Sequence, residues 1–247
     1  SQTIAPVPVI YGNLYLNNSA KTLGGHLDID GRIYFYDDVS LDVTLNNYRI
    51  NIEGDWYNTA GATFNPRQGE VIFDGNDDYT YLRVYEPSRL TNPFYRLTVN
   101  KGNGELRSYW TDITIQDNLR VINGGLYQDE IMYVGGDMSA LSGTFATAGT
   151  YYLNKVSGSS NLQLNGSVLN NLTVDAGAVY YLQDALEMNG QFDLISGTFN
   201  ANGQFVRMGN YGEVHEISGL YQVGEGGKLM LPNYGTFKVN SGGEVWV

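Results

Sequence analysis

Residues 54–75, "GDWYNTAGATFNPRQGEVIFDG", show the pattern from which the architecture can be predicted. Their glycines separate short segments in which apolar and polar residues alternate: Gly54, Gly61, Gly69 and Gly75. Alternation with a period of two indicates a strand with one buried face, and glycine permits tight corners between strands. The stretch is therefore predicted to be one coil of a repetitive β structure, with Phe64, Val71 and Phe73 pointing into the core.

The same alternation continues along most of the 247 residues. Clear examples are "LDVTL" (41–45), "LTV" (97–99), "ITI" (113–115), "LTV" (172–174) and "VWV" (245–247). Strands this short, joined by Gly, Asn, Asp and Ser, favour a coiled solenoid over a sandwich, whose strands are usually longer. The one segment with some helical character, "LQDALEM" (182–188), is short and uncapped.

Internal repeats support the solenoid prediction. "GATFNPRQGEVIF" (61–73), "SGTFATAGTYYL" (142–153) and "SGTFNANGQFVRM" (196–208) align, and the gaps between such copies are roughly multiples of 25 to 27 residues. Stacked in parallel, equivalent triplets would hydrogen-bond to the coils above and below. We predict an all-β fold, a parallel β-helix of roughly ten short coils. It would be one solenoid over 1–247, with irregular coils or a cap at 1–40, degenerate repeats at 41–247, and a continuation into neighbouring domains of a longer protein.

The composition excludes several partners. The net charge is −12, and an acidic surface repels nucleic acid and anionic lipid headgroups. The chain has no cysteine, so it forms no disulfide or thiolate metal site. No apolar run approaches the length of about 18 residues that indicates a membrane-spanning helix. These features are typical of a soluble secreted or surface protein.

No cofactor is predicted, and the one candidate is calcium at an acidic turn, "DGNDDY" (74–79). Asp74, Asn76 and Asp78 have the one-three-five spacing of a calcium-binding loop. The turn departs from that pattern at Tyr79, where glycine is expected, and at Glu86, which comes one position late. The alternative is an acidic turn between two strands.

The carboxylate pairs do not favour an enzyme. Adjacent residues of a strand point to opposite faces, so Asp77 and Asp78, or Asp129 and Glu130, would not converge within one coil. The same holds for the pair at 37–38. His26 and His215 lie far apart in the sequence, and no nucleophile motif occurs. A non-catalytic role is predicted, although carboxylates on neighbouring coils could still form a glycosidase or lyase site.

Aromatic residues are the more plausible contact surface. Trp56, Tyr57, Tyr79 and Tyr81 are the candidates to contact a polysaccharide or protein partner, because exposed Tyr and Trp stack on sugar rings and anchor interfaces. The alternative is that tyrosines of successive coils stack on each other and only stabilise the solenoid.

Residues 43–76 resemble a repeat of large secreted proteins of the Bacteroidota, in which "G-N-W-x-N-x-G-x-F-x-P-x-x-G-x-V-x-F-x-G" precedes "F-x-N-L-x-V" and "I-x-G-x-L-x-I-x-x-G". The positions that match the first part are Gly54, Trp56, Asn58, Gly61, Phe64, Pro66, Gly69, Val71, Phe73 and Gly75. The later parts are matched by Leu97, Val99, Asn118, Leu119, Val121 and Gly124. Asp55 stands where Asn is usual.

This resemblance implies a right-handed β-helical stalk of a cell-surface adhesin or filament, of the kind exported by the type nine secretion system and including gliding-motility adhesins. The expected role is structural and adhesive at the bacterial cell surface, and the resemblance implies no catalytic residues. A carbohydrate-active β-helix and a phage tail-fibre or tailspike segment are the alternatives.

Overall fold

The computed structural model describes residues 2–36, 38–59, 61–84, 93–209, 212–231 and 234–247. Within these ranges all regular elements are strands, and the strands pair in parallel. The strands are β1 (Gln2–Ile4), β2 (Ile10–Tyr11), β3 (Leu14–Leu16), β4 (Ala20–Leu23), β5 (Leu27–Ile29), β6 (Ile33–Phe35), β7 (Ser40–Asp42), β8 (Ile50–Ile52), β9 (Trp56–Asn58), β10 (Thr63–Asn65), β11 (Glu70–Phe73), β12 (Tyr79–Val84), β13 (Arg96–Ser108), β14 (Ile113–Ile115), β15 (Leu119–Gln128), β16 (Ile131–Val134), β17 (Met138–Ala140), β18 (Thr144–Thr147), β19 (Thr150–Leu153), β20 (Ser159–Gln163), β21 (Val168–Leu169), β22 (Asn171–Leu182), β23 (Leu186–Met188), β24 (Phe192–Asn200), β25 (Phe205–Arg207), β26 (Val214–Ile217), β27 (Leu220–Gln222), β28 (Lys228–Met230), β29 (Thr236–Val239) and β30 (Glu244–Trp246).

The strands stack into three columns, which form the three faces of a β-solenoid of about 11 turns. Face 1 begins with β1, β4, β7 and β10 and continues from β14 to β29, with Phe94 linking the two parts through its bridge to Ile115 and its ring contact with Phe64. Face 2 runs from β2 through β5, β8 and β11 to β30. Face 3 runs from β3, β6, β9 and β12 to β28. The predicted parallel β-helix is confirmed.

Four long strands, β13, β15, β22 and β24, bend around a corner and belong to two faces each. The pairing register shifts at these bends, for example between Val99 and Glu105 of β13. Gly102 and Gly124 adopt positive φ at such corners, a conformation that favours glycine. At the inter-strand spacing of about 4.8 Å, the stack forms a rod about 50 Å long.

The turns differ in length, so the predicted period of 25 to 27 residues is wrong for most of them. Residues paired across one turn are 18 positions apart at Ile10 and Asp28, and 26 apart at Trp56 and Leu82. The strands keep their register while the corners between them absorb the difference.

The repeated Thr-Phe motif does not mark equivalent positions. Phe64 lies in β10 on face 1, Phe145 in β18 on face 3, and Phe199 in β24 on face 2. The motif is therefore a local strand-and-corner unit that any face can use.

Alternation within each strand builds the core. Of the fifteen three-residue strands in the described ranges, seven bury their two outer residues and leave the middle one partly exposed: β5, β6, β8, β9, β14, β17 and β23. In β7, β10, β25 and β27 the middle residue is the buried one. Phe64, Val71 and Phe73 are buried as predicted.

The N-terminal segment is more regular than expected. β1 to β6 already form two turns that pair in parallel with the turns that follow. The described residues of 1–40 thus form regular turns, and a cap at 1–40 stays a prediction. The segment "LQDALEM" contains β23 rather than a helix. No helix in the described ranges is long and apolar enough to cross a membrane.

Candidate ligand-binding face

Face 3 carries a tyrosine ladder, formed by Tyr15, Tyr34 and Tyr57 on β3, β6 and β9. These residues are in register and point outward. Their ring centroids are 5.0 and 4.9 Å apart, and their planes differ by only 3° and 4°. Each ring covers a neighbour's face, so the ladder stabilises the stacking of the turns, which the sequence analysis gave as the alternative to ligand binding.

The predicted contact at Trp56 is wrong. Its side chain is only 1% exposed and packs against Phe35, Phe64 and Phe94, with ring centroids 4.9 to 5.3 Å apart. The alternation of β9 explains this, because it places Trp56 inside and Tyr57 outside.

Tyr57 is outside, but its ring faces are already occupied. The Tyr34 ring stacks on the Tyr57 ring with a centroid distance of 4.9 Å, and the guanidinium of Arg83 lies 5.3 Å from the Tyr57 centroid. The Tyr57 hydroxyl donates to Asp55 Oδ2 at 3.1 Å. The pKa of Tyr57 is raised, mainly because the side chain is partly buried. Tyr57 is therefore better described as part of the ladder than as a sugar-stacking residue.

Next to the ladder lies the aromatic–arginine patch, which we define as Tyr79, Tyr81, Arg83, Arg107, Tyr109 and Trp110. Tyr79, Tyr81 and Arg83 occupy alternate positions of β12, and Arg107 of β13 pairs with Tyr81. The Arg83 guanidinium lies 4.8 Å from the Tyr81 centroid and 5.9 Å from the Trp110 centroid. Sequence reasoning found Tyr79 and Tyr81, and the structure brings them together with four further residues.

Trp110 is the most exposed aromatic residue of the patch. Its side chain is 73% exposed, and its backbone has φ of 61°, which is unfavourable for a bulky residue. The backbone N–H of Trp110 donates to Asp129 Oδ1 at 3.1 Å, and this bond stabilises the conformation. Strained backbone of this kind concentrates at functional sites. Trp110 was not among the predicted residues, because the segment "SYWTD" contains no glycine or asparagine to signal a positive φ.

The two arginines of the patch differ in their partners. Arg107 forms an ion pair with Glu105 at 2.5 Å, donates to the Tyr109 hydroxyl at 3.1 Å, and lies 3.7 Å from the Tyr79 ring centroid. Arg83 forms no ion pair or hydrogen bond within the described part of the chain, and its Nε is buried without an acceptor. Among the described residues, the Arg83 guanidinium has its interactions with the rings of Tyr57, Tyr81 and Trp110.

A cleft of about 610 Å³ adjoins the patch and opens to solvent. Its lining consists of Asp78, Tyr79, Asn103, Glu105, Arg107, Ser142, Thr144 and four glycines. The cleft therefore offers hydrogen-bonding groups beside the exposed ring of Tyr79, a combination suited to a sugar.

The acidic turn at 74–79 folds around a lysine. Lys101 is fully buried, and its Nζ donates to the Gly75 carbonyl at 3.2 Å and to Thr80 Oγ1 at 2.6 Å. Burial lowers the pKa of Lys101 and raises that of Asp74. The Asp74 carboxylate also accepts from Asn51 Nδ2 at 2.9 Å.

Calcium at Asp74, Asn76 and Asp78 stays a prediction. Asn76 and Asp78 are exposed, whereas Asp74 is partly buried and hydrogen-bonded to Asn51. Glu86, the fourth ligand considered, and Asp37, of one carboxylate pair, lie outside the described residues. Among the residues that are described, no three acidic or histidine side chains are grouped to hold a metal ion. The cation that this turn does enclose is the ammonium of Lys101.

Comparison with known proteins adds nothing to this geometry. The chain gives no significant match to a protein-family model, to a curated protein or to a solved structure. The fold, a parallel β-solenoid, is compatible with adhesins, enzymes and tailspikes alike. The functional argument therefore depends on the residues of face 3.

Proposed function

We propose that this chain is a structural and adhesive segment of an extracellular, cell-surface protein, and that its aromatic–arginine patch binds a polysaccharide. The observation that carries the proposal is the exposed indole of Trp110, held at positive φ beside Arg83 and Tyr109 in a patch whose other end, at Tyr79 and Arg107, borders the polar cleft. A rigid stack of turns displays such a patch at a fixed position without any need for turnover.

The tyrosine ladder supports the structural part of this proposal. Parallel rings about 5 Å apart stabilise the stacking of successive turns, because their spacing matches the distance between hydrogen-bonded strands. The ladder and the patch divide face 3 between them: the ladder stabilises the rod, and the patch remains accessible.

A carbohydrate-active enzyme is the second candidate, because the cleft contains Asp78 and Glu105. Glycoside hydrolysis uses two carboxyl groups placed across the scissile bond. Glu105 is already paired with Arg107, and one carboxylate without a partner favours binding over hydrolysis. Release of reducing ends from a bound polysaccharide would support the enzyme instead. A trimer in light scattering would support a tailspike-like segment.

The binding experiment uses affinity electrophoresis of the purified chain in gels that contain single polysaccharides. Replacing Trp110 with alanine is expected to weaken retardation about tenfold or more, since a central tryptophan typically dominates binding energy. Trp246→Ala is the matched control, because Trp246 is 57% exposed but lies in the last turn. Equal retardation of the wild type and Trp110→Ala would contradict the proposal.

A further inference from the structure

We propose that Arg83 forms an anion subsite within the aromatic–arginine patch, so that the ligand is an acidic polysaccharide whose carboxylate or sulfate group binds the Arg83 guanidinium. This inference rests on the proposed function of the patch and adds the chemical class of the ligand.

The first argument is the pairing of charges on the rod. Arg32 and Arg107, the arginines nearest to Arg83 on face 3, form ion pairs with Asp55 at 2.9 Å and with Glu105 at 2.5 Å. Arg67 and Arg96 are paired on the other faces in the same way. Arg83 is in a chain with 26 acidic residues and 14 basic ones, yet none of the described acidic side chains pairs with it.

The second argument is the cost of leaving a cation without an acceptor. The Arg83 side chain is partly buried, and its Nε has lost contact with water without gaining a hydrogen bond to any described residue. A buried donor that lacks a partner destabilises the free protein, and a hydrogen bond to a charged acceptor is stronger than a neutral one. The terminal nitrogens of the guanidinium are not among the buried donors without a partner, and the proposed anion binds there.

The third argument is the position of the aromatic rings around this cation. Tyr57 and Tyr81 hold the guanidinium at 5.3 and 4.8 Å from their centroids, and Trp110 flanks it at 5.9 Å. Such rings orient an arginine without neutralising it. A sugar ring that stacks on the exposed indole of Trp110 therefore brings its acidic substituent next to Arg83.

The net charge of −12 shapes this selectivity rather than abolishing it. Salt at physiological strength screens charges beyond about 8 Å, so distant carboxylates repel the ligand only weakly. A contact between Arg83 and a single anionic group is screened much less. The patch is thus suited to one acidic sugar at a defined place, whereas densely charged nucleic acid gains little from it.

The test compares polymers that differ only in charge. Polygalacturonate is compared with its methyl ester, and dextran sulfate with dextran, by affinity electrophoresis and titration calorimetry. The wild type is expected to prefer the acidic member of at least one pair, and preference for polygalacturonate or for dextran sulfate identifies the group as a carboxylate or a sulfate. Arg83→Gln is expected to reduce binding of the acidic member about tenfold or more, and thereby to remove the preference for the acidic member over the neutral one.

Arg120→Gln is the matched control, since it removes the same charge from an exposed position of β15 on face 2. Equal affinity of the wild type for both members of each pair would overturn the anion subsite while leaving polysaccharide binding in place. The same conclusion follows if Arg83→Gln and Arg120→Gln behave alike. If none of the polymers binds, both the subsite and the proposed function fail. Thermal unfolding of each variant confirms that the rod is intact.

Discussion

Replacing Trp56 with alanine should strongly destabilise the solenoid. The indole is 1% exposed and contacts three aromatic rings, those of Phe35, Phe64 and Phe94. Truncation of a buried Trp or Phe to alanine typically costs about 3 to 5 kcal/mol, as lost burial plus the cavity left behind. Since these rings link turns of faces 1 and 3 from several sides, we expect little collapse and a loss near the upper end, about 4 to 5 kcal/mol.

The free energy of unfolding is measured by urea titration with far-UV circular dichroism. Trp56→Phe retains an aromatic ring in the core and should cost less than half as much as alanine. Trp110→Ala removes an exposed indole and should change stability by less than about 1 kcal/mol. A buried tryptophan emits blue-shifted fluorescence, and Trp110 and Trp246 are exposed. This signal should therefore come from Trp56, so it should disappear in Trp56→Ala and Trp56→Phe and remain in Trp110→Ala.

The reasoning would be refuted if Trp56→Ala cost less than Trp110→Ala, or if its fluorescence kept the signal of a buried indole. A solenoid can unfold turn by turn, so the slope of the urea transition is compared between variants. A lower slope for Trp56→Ala would show that the turns around β9 unfold separately, and the cost then refers to that part of the rod.

Three further predictions concern the stacking of the turns and the buried polar groups. Gly31→Ala should destabilise the rod by about 1 to 3 kcal/mol in thermal unfolding, because the new Cβ would clash with the Gly12 carbonyl oxygen of the preceding turn. Gly12→Ala is the control and should be close to neutral, because a Cβ at Gly12 meets nothing within 4 Å. Thr80→Val should cost about 1 to 3 kcal/mol in urea titration, because it removes the acceptor 2.6 Å from the buried Lys101 ammonium, and a neutral result would show that the ammonium needs no such bond. His215 is fully buried, and burial is the main cause that lowers its pKa, so the unfolded chain binds its proton more readily. The wild type should therefore lose stability as the pH falls below about 6.5, where the unfolded chain takes up the proton. His215→Asn lacks this group, so the difference in melting temperature between the wild type and His215→Asn should change below about pH 6.5 and stay constant above it.

The fold could be predicted because its two causes are local. Alternation in triplets such as "ITI" and "LTV" determines which side chains are buried, and glycine or asparagine determines where the chain can bend. The length of a turn could not be predicted, because it depends on how corners of different lengths fit over the turn below. The Thr-Phe motifs at Phe64, Phe145 and Phe199 resemble each other locally and still lie on three different faces.

The site could be predicted only in part, for a similar reason. Tyr79 and Tyr81 were found because aromatic residues at alternate positions of one strand share a face. Trp56 and Tyr57 are neighbours in the sequence, and β9 places Trp56 inside and Tyr57 outside. Alternation predicts that the two side chains point to opposite sides, but not which of them points inward. Arg83 meets Trp110 across adjacent turns, and the sequence does not display such a contact.

The arrangement of hydrogen bonds also determines how this rod responds to force. The backbone bonds between turns are parallel to the long axis, and the first and last turns lie at opposite ends of the stack. Tension applied between the two ends therefore opens these bonds one turn after another, beginning at an end, instead of shearing many of them together. Each turn of 18 to 26 residues would release a segment about 60 to 90 Å long. Under load the segment becomes a tether that lengthens in steps and dissipates energy at each step. The turns that carry the aromatic–arginine patch, the fourth and fifth of the stack, open only after the turns between them and the loaded end.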